Sequence, residues 1–280
     1  MRSARSSQTP RAPRASRTRI IVSRVLIVVG VLLLVAAGGI FIWSQLGYRE
    51  AEDAYADLAQ YAAVDDTDGS GIPSVNFDEL AAINPDVVGW IYIPGTSVNY
   101  PVVQGEDNST YLYRLFDGRS NASGTVFLDC DDEAPGLRDE QTSIYGHHML
   151  SGGMFEPIDR TQDQAAFDAI DEVYYITREA VYRFRPLATA VVPADYVVAR
   201  TPNFEDAAVF EEYLRDILSR ASAQASDAEE RVESTEQVLS LITCSDNIVP
   251  SPRRSVMVCT LEETLPRVDA GESISTVSGN

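Results

Sequence analysis

A run of nineteen consecutive apolar or glycine residues, from Val25 to Trp43, constrains this chain more than any other feature. As a helix, such a run is long enough to cross the hydrocarbon core of a bilayer. Seven of the 22 basic residues and none of the 42 acidic residues precede Tyr48, so the positive-inside rule places the N-terminus in the cytoplasm. A cleaved signal peptide would have a shorter apolar region and a small-x-small cleavage site. The stretch 35–39 matches such a site poorly, so we predict an uncleaved single-pass anchor in the cell membrane.

The rest of the chain is acidic, and its composition divides it further. All 42 acidic residues lie beyond the apolar run. A surface this acidic excludes nucleic-acid binding, which needs a basic footprint. Residues 48–63 are helix-forming, and the Asp- and Gly-rich stretch 65–73 predicts a linker. We therefore predict a cytoplasmic basic tail (1–19), a transmembrane anchor (20–44), a stalk helix and linker (45–75), an extracellular globular domain (76–264), and a disordered tail (265–280).

The globular domain has the pattern of a mainly β protein. Short apolar runs separated by Gly and Pro turns favour a closed β-barrel over a βαβ fold. Two helices are predicted: a short one capped by Asn76, and a longer one within 204–222 whose apolar residues share one face. The predicted strands are 87–93, 98–103, 111–113, 125–128, 142–145, 173–176, 180–184, 187–192, 238–244 and 254–259.

The candidate chemistry begins with a cysteine and an arginine. Cys244 ends one apolar run, and Arg254 opens the next one ten residues later. Two strands joined by a loop would place the thiol beside a fixed guanidinium, and a nearby cation favours the reactive thiolate. The same residues also fit a plainer interpretation, in which Cys244 is a small buried hydrophobic residue. The two histidines of the chain, His147 and His148, are adjacent and would supply a proton donor.

In chain order, these motifs resemble those of the class B sortases. The series is Tyr145-Gly-His-x-Met, then Thr243-Cys, then Arg254. The resemblance spans roughly residues 76–261 and includes Asn84-Pro-Asp-Val-Val-Gly-Trp-Ile-Tyr-Ile-Pro-Gly-Thr, Tyr100-Pro-Val-Val-Gln-Gly and Gly124-Thr-Val-Phe-Leu-Asp. It implies a closed barrel of about eight strands with a few peripheral helices. The helix predicted within 204–222 would then wall the substrate groove.

The resemblance also implies a cysteine transpeptidase that needs no cofactor. Cys244 would form a thioester with the substrate, and His147 would protonate the leaving amine. Arg254 would anchor the substrate backbone or stabilise the oxyanion. Supporting roles are implied for Asp246 and Thr243, although a simple loop-turn Asp246 is an equal alternative. The predicted groove residues are Tyr145, Ile242 and Leu241.

The sequence departs from the family at His148, where Asn is usual. Because neighbouring side chains of a strand point to opposite faces, only one of the two histidines can readily face Cys244. The spacing of the family motif assigns that position to His147. We therefore expect His148 to point toward the rim of the groove or the solvent.

The remaining cysteines and the acidic loops leave alternatives open. Cys130 and Cys259 could pair outside the cell or remain as two buried thiols. The adjacent histidines lack the spacing of metal ligands, so no metal site is predicted. A calcium site in the acidic loop 129–133 stays open, although class B sortases do not typically need one.

The expected function is cleavage of a C-terminal sorting signal in secreted proteins and transfer of the acyl group to an amine of the cell-wall precursor. The resemblance suggests an Asn-Pro-x-Thr-x or Ser/Asn-Pro-x-Thr-Gly signal. A first alternative is a pilin-polymerising sortase that uses a pilin lysine as acceptor. A second is a catalytically inactive surface binding domain on the same barrel, which the complete Cys-His-Arg set argues against.

Overall fold

The computed structural model describes residues 17–64, 71–149, 151–244 and 252–267. Its first element is the helix α1, Arg17–Leu58. Within it, a window with a mean hydropathy of 3.0 is long and apolar enough to cross a membrane. The apolar side chains of this window are exposed, as a lipid-facing helix requires. Contacts divide the chain into a unit of residues 1–47 and a unit of residues 48–280.

The unit of residues 48–280 consists mainly of β-strands with short helices between them. Its helices after α1 are α2 Phe77–Ile83, α3 Glu156–Arg160, α4 Gln164–Asp168, α5 Ala207–Arg220 and α6 Ala228–Val232. Its strands are β1 Ala62–Val64, β2 Pro73–Val75, β3 Val87–Tyr92, β4 Asn99–Val103, β5 Phe127–Leu128, β6 Gln141–Tyr145, β7 Val173–Ile176, β8 Ala180–Pro193, β9 Ala221–Gln224, β10 Val238–Cys244 and β11 Arg253–Pro266.

Eight of these strands form a closed barrel. The order is β11-β10-β6-β5-β4-β3-β7-β8, and β8 pairs again with β11, so the sheet has no free edge between them. The strand β9 adds to the far half of β8, while β1 and β2 form a separate two-stranded ribbon. The predicted closed barrel of about eight strands with peripheral helices is confirmed.

Two apolar clusters lie on the two faces of the barrel wall. Along β10, Leu239 and Leu241 belong to one cluster, whereas Val238 and Ile242 belong to the other. The period-2 alternation of a strand produces this division. The second cluster includes the apolar face predicted for the helix in 204–222, now α5, whose residues Phe210, Tyr213, Leu214, Ile217 and Leu218 are all buried. The helix α5 therefore covers the outside of the strands that carry the candidate site.

The predicted N-cap of α2 is confirmed, and α5 has a similar cap. Asn76 accepts a hydrogen bond from the backbone N–H of Glu79 at 3.2 Å, as predicted for an N-cap. Asp206 caps α5 in the same way, accepting from the N–H groups of Ala208 and Val209.

Two predictions of strands are wrong. Residues Thr110–Tyr113 form a 3-10 helix, because the hydroxyl of Tyr111 turns inward and donates to Asp86 at 2.6 Å. The two strands predicted on either side of Pro186 are one strand, β8. Pro186 fits within it because the register against β11 shifts beside its partner Cys259, where the ladder does not need its missing N–H.

Candidate active site

Three adjacent strands bring the candidate catalytic positions to one end of the barrel. The strands β6 and β10 run parallel, with Tyr145 opposite Ile242, and the N–H of Gly146 continues the ladder to the carbonyl of Ile242 at 3.1 Å. His147 and Cys244 each follow two residues after this pair. The antiparallel register of β10 with β11 places Cys244 opposite Arg254. The backbone thus aligns all three positions, although the side chain of Cys244 and the loop 245–251, with Asp246, lie outside the described structure.

A close packing contact fixes the turn that carries His147. The ring of Phe155 lies against Gly146 so closely that an added Cβ atom would meet it at 2.5 Å. Phe155 also donates its backbone N–H to the carbonyl of His147 at 2.9 Å. The glycine of the Tyr-Gly-His motif therefore leaves room for the start of α3, and α3 in turn holds the backbone of His147.

The imidazole of His147 is oriented by a carbonyl from a distant segment. Its Nε2 lies 2.8 Å from the backbone oxygen of Leu112. Since a carbonyl only accepts, Nε2 carries the proton, and Nδ1 is left for exchange with a substrate. Burial lowers the pKa of His147, and the bond to Leu112 partly opposes this effect. The neutral imidazole therefore predominates at neutral pH, with Nδ1 as its proton-accepting atom.

His148 turns into the protein. Its side chain is 11% exposed, and Nε2 lies 3.5 Å from Oδ2 of Asp159 on α3. Its backbone also forms a bridge with Met154, which closes the short turn between β6 and α3. Of the two positions expected for His148, the rim of the groove or the solvent, the solvent-facing one is wrong, because α3 folds back over the end of β6 and presents a carboxylate to it.

Among the predicted groove residues, Tyr145 and Ile242 line a cavity of about 50 Å³ that also contacts Arg254. Val192 and Tyr196, from the end of β8 and the segment after it, complete its wall. Leu241 lies on the opposite face of β10, fully buried in the barrel interior. Thr243 is also buried, and its Oγ1 has no hydrogen-bond partner in the part of the chain that the structure describes.

A buried carboxylate that the sequence analysis did not single out organises this wall. Asp129 is completely buried and accepts hydrogen bonds from Tyr145 and, through both its oxygens, from Arg200. Burial raises the pKa of Asp129, but these bonds together outweigh that effect and hold the pKa below its usual range. Asp129 belongs to the Phe-Leu-Asp motif, but Arg200 is 71 residues away and no local pattern indicates it. Both of its partners line the cavity beside Arg254.

Cys130 and Cys259 are free thiols in the described structure. Cys259 is completely buried within the barrel wall, and burial raises its pKa to about 12. Cys130 is half-buried in the loop after β5. Of the two alternatives, the structure shows separate thiols and no disulfide between them, but only Cys259 of the expected two buried thiols is buried.

The acidic loop after β5 brings three metal-type ligands together. One ligand atom from each of Asp129, Cys130 and Asp131 lies within 4.8 Å of the others. The guanidinium of Arg200, however, contacts both carboxylates, at 2.9 Å and 2.8 Å. An arginine side chain therefore supplies positive charge where a cation would otherwise bind.

Comparison with known proteins decides the family. A sortase-domain family model matches residues 91–262. The chain is 30% identical to sortase B of Staphylococcus aureus over 182 residues, and this aligned region covers 65% of this chain and 72% of that protein. The chain belongs to the sortase family, in class B.

Solved structures of class B sortases share the barrel. Sortase B of Clostridium perfringens superposes with a TM-score of 0.60 at 27% identity, over 67% of this chain and 100% of that one. A substrate complex of sortase B from Staphylococcus aureus superposes with a TM-score of 0.60 at 26% identity, over 67% of this chain and 84% of that one. This sortase is therefore a cysteine transpeptidase, and its candidate site lies within the matched region.

Proposed function

We propose that Cys244, His147 and Arg254 form the catalytic set of this sortase. The observation that supports them most strongly is the register of three neighbouring strands: β10 pairs with β11 at Cys244 and Arg254, and β6 runs parallel to β10 up to the turn of His147. In the described structure, the two other cysteines lie away from this combination, one inside the barrel wall and one among carboxylates. Asp246 and Thr243 are proposed as supporting residues.

The proposed reaction has two halves. In the first, the thiolate of Cys244 attacks the scissile carbonyl of the sorting signal, and the resulting oxyanion is stabilised by the permanently charged guanidinium of Arg254. The neutral imidazole of His147 takes up the proton of the Cys244 thiol as the thiolate forms. It then donates this proton to the leaving amine as the C–N bond breaks, leaving a thioester on Cys244. In the second, the neutral imidazole removes a proton from an incoming amine, which attacks the thioester and releases the thiolate.

The half-buried cavity beside Arg254 is the proposed start of the substrate groove. Its walls are the aromatic rings of Tyr145 and Tyr196 and the aliphatic side chains of Ile242 and Val192. Such a surface suits an extended peptide with small apolar residues, and Arg254 at its end can bind the peptide carbonyls. A sorting signal of the Asn-Pro-x-Thr type meets these requirements and is the proposed substrate, carried by secreted proteins.

The helix α1 is the proposed membrane anchor. It is long and apolar enough to span a bilayer, and the basic residues before its apolar run favour an N-terminus in the cytoplasm and a catalytic unit outside the cell. This location gives the enzyme access to secreted proteins and to the amine of the cell-wall precursor, the proposed acceptor.

The test is a transfer assay with the full-length enzyme in detergent. The purified enzyme is incubated with a peptide carrying an Asn-Pro-x-Thr-x signal, with or without a glycine oligomer as a wall-type amine or a pilin-derived lysine peptide. We expect cleavage after Thr, a thioester on Cys244 detectable by mass spectrometry, and transfer to the glycine amine. A peptide of the same composition in scrambled order is the control. Transfer to the lysine peptide alone would reassign the enzyme to pilin assembly, and equal cleavage of both peptides would contradict the proposed signal.

A further inference from the structure

The helix α3 places one carboxylate between the two strands that carry the proposed acid and the proposed arginine. Asp159 lies 3.5 Å from Nε2 of His148 through its Oδ2. Its Oδ1 accepts a hydrogen bond from the hydroxyl of Ser255 at 2.6 Å. His148 directly follows His147, and Ser255 directly follows Arg254. A single side chain thus contacts both the residue after His147 and the residue after Arg254.

The contact of Asp159 with the arginine strand is supported by a third side chain. Gln162 donates from Nε2 to Oδ1 of Asp159 at 2.5 Å and to Oγ of Ser255 at 3.0 Å. Ser255 is completely buried and lies opposite Thr243, the residue before Cys244. The carboxylate is 18% exposed, and its hydrogen-bonding partners are fixed on a strand and at the end of a helix. Buried polar networks of this kind hold their members in one arrangement.

We propose that Asp159, with His148 as its partner, is a positioning residue for catalysis. It holds the turn that carries His147 at a fixed distance from the strand that carries Arg254. The inference rests on the proposed function, because it assumes that His147 and Arg254 act on the same bound peptide. The ring of His148 lies 3.5 Å from the carboxylate, on a turn that already bridges to Met154, so the pair closes the connection between β6 and α3.

The chemistry explains why this connection matters. His147 and Arg254 act on atoms of one tetrahedral intermediate, and a displacement of about 1 Å in such a site can cost about a hundredfold in rate. Loss of the connection should therefore lower the rate of acylation, while the groove that binds the peptide stays intact. The usual family residue at position 148, asparagine, also presents a polar N–H group toward Asp159, so we expect His148→Asn to keep most of the function.

The experiment measures acylation by the full-length enzyme with a sorting peptide that the wild type processes. We expect His148→Ala and Asp159→Ala each to lower kcat about thirtyfold while KM changes less than about threefold. The double variant should lose no more than either single variant, because both remove the same connection. His148→Asn should lose less than about tenfold. Glu156→Ala is the matched control, since it removes a carboxylate from the same helix that pairs with Arg160 instead, and it should keep wild-type kcat.

Several outcomes would overturn the inference. Independent, multiplying losses in the double variant would show that the two residues are not coupled. A loss confined to KM, or to the fraction of enzyme that a thiol alkylator titrates, would indicate a structural role alone. If Asp159→Ala does not fold, the comparison of His148→Ala with His148→Asn still decides, because equal losses contradict a polar contact between residue 148 and the carboxylate. A Cys244→Ala variant that still transfers peptide would overturn the proposed site as well. If Cys244→Ala and His147→Ala are inactive but the losses at His148 and Asp159 are independent, only this inference is overturned.

Discussion

Two regions of the barrel each carry a cysteine at or just after the end of a strand, yet their surroundings differ in charge. Cys130 follows β5, and its Sγ lies 3.8 Å from a carboxylate oxygen of Asp131. Burial raises the pKa of this thiol, and Asp129 and Asp131 raise it further. Cys244 ends β10 directly opposite Arg254, beside the turn of His147. A position at a strand end is thus insufficient for a nucleophile, because the sign of the neighbouring charge decides whether a thiolate forms.

The arginine near each cysteine also has different surroundings. Arg200 lowers the pKa of Cys130, but its guanidinium is held by the carboxylates of Asp129 and Asp131. Arg254 lies on the opposite side of the barrel wall from the interior and contacts the cavity that we propose for the peptide. Arg200 therefore stabilises a loop, whereas Arg254 borders the cavity that we propose for the peptide.

The most direct test of this comparison is to remove each cysteine in turn. Cys244→Ala should abolish both cleavage and transfer, because it removes the only thiol placed by the register beside Arg254. Cys130→Ala and Cys259→Ala should keep most activity. The activity of each variant is measured with a sorting peptide. Mass spectrometry of the alkylated wild-type enzyme identifies the cysteine whose modification causes inactivation. Inactivation through alkylated Cys130 or Cys259, with Cys244 unmodified, would contradict the assignment.

The next largest effect is expected at the histidine of the same region. His147→Ala should lower turnover by about a thousandfold or more, because it removes the general acid for the leaving amine. Acyl-enzyme formation and transfer are measured on one sorting peptide, with His148→Asn as the matched change at the adjacent residue. A severe loss for His148→Asn with His147→Ala nearly intact would reverse the roles of the two histidines.

Much of the catalytic region could be predicted because its signals are local. The apolar runs and the Gly-His turn each lie within a few residues, the cysteine and the arginine are only ten residues apart, and the family series adds their order. The loop after β5 was harder, since its properties depend on Arg200, which approaches from 71 residues away. The hydrogen bond from His147 to Leu112 and the contact of His148 with Asp159 were equally hard to predict, because each partner comes from another segment of the chain. The prediction of a strand over 111–113 is wrong because a run of three residues does not distinguish a strand from a 3-10 helix.

The buried carboxyl group of Asp132 in the acidic loop should make the stability of the protein depend on pH. Burial and the carboxylates of Asp129, Asp139 and Asp131 raise the pKa of Asp132 to about 8, while a hydrogen bond from the N–H of Ser143 partly opposes this. Between about pH 4 and pH 8, the unfolded chain ionises this group while the folded chain keeps it protonated. The free energy of unfolding therefore falls as pH rises through this window, by roughly a few kcal/mol in total.

Asp132→Asn should remove this decline. The amide oxygen can still accept the 2.7 Å hydrogen bond from Ser143, and the amide cannot ionise. We expect a Tm about 5 °C above wild type at pH 8 and nearly unchanged at pH 5, measured by thermal unfolding of the full-length protein. The exposed Asp171→Asn serves as the control for loss of one charge. An equal Tm difference at both pH values would contradict a buried, protonated Asp132.

The smallest effect sharpens the comparison at Cys130 itself. Asp131→Asn removes the carboxylate nearest the thiol and frees Arg200 from one of its two partners, so both changes should lower the pKa of Cys130. In a Cys244→Ala background, where Cys259 is buried, the rate of alkylation reports on Cys130. We expect about a threefold faster rate at pH 7.5, since the thiolate fraction rises as the pKa falls. Asp117→Asn, a change of an exposed aspartate paired with Arg119, is the control and should leave the rate unchanged. An unchanged rate for Asp131→Asn would mean that burial alone keeps Cys130 unreactive, and that the sign of the neighbouring charge does not separate the two regions.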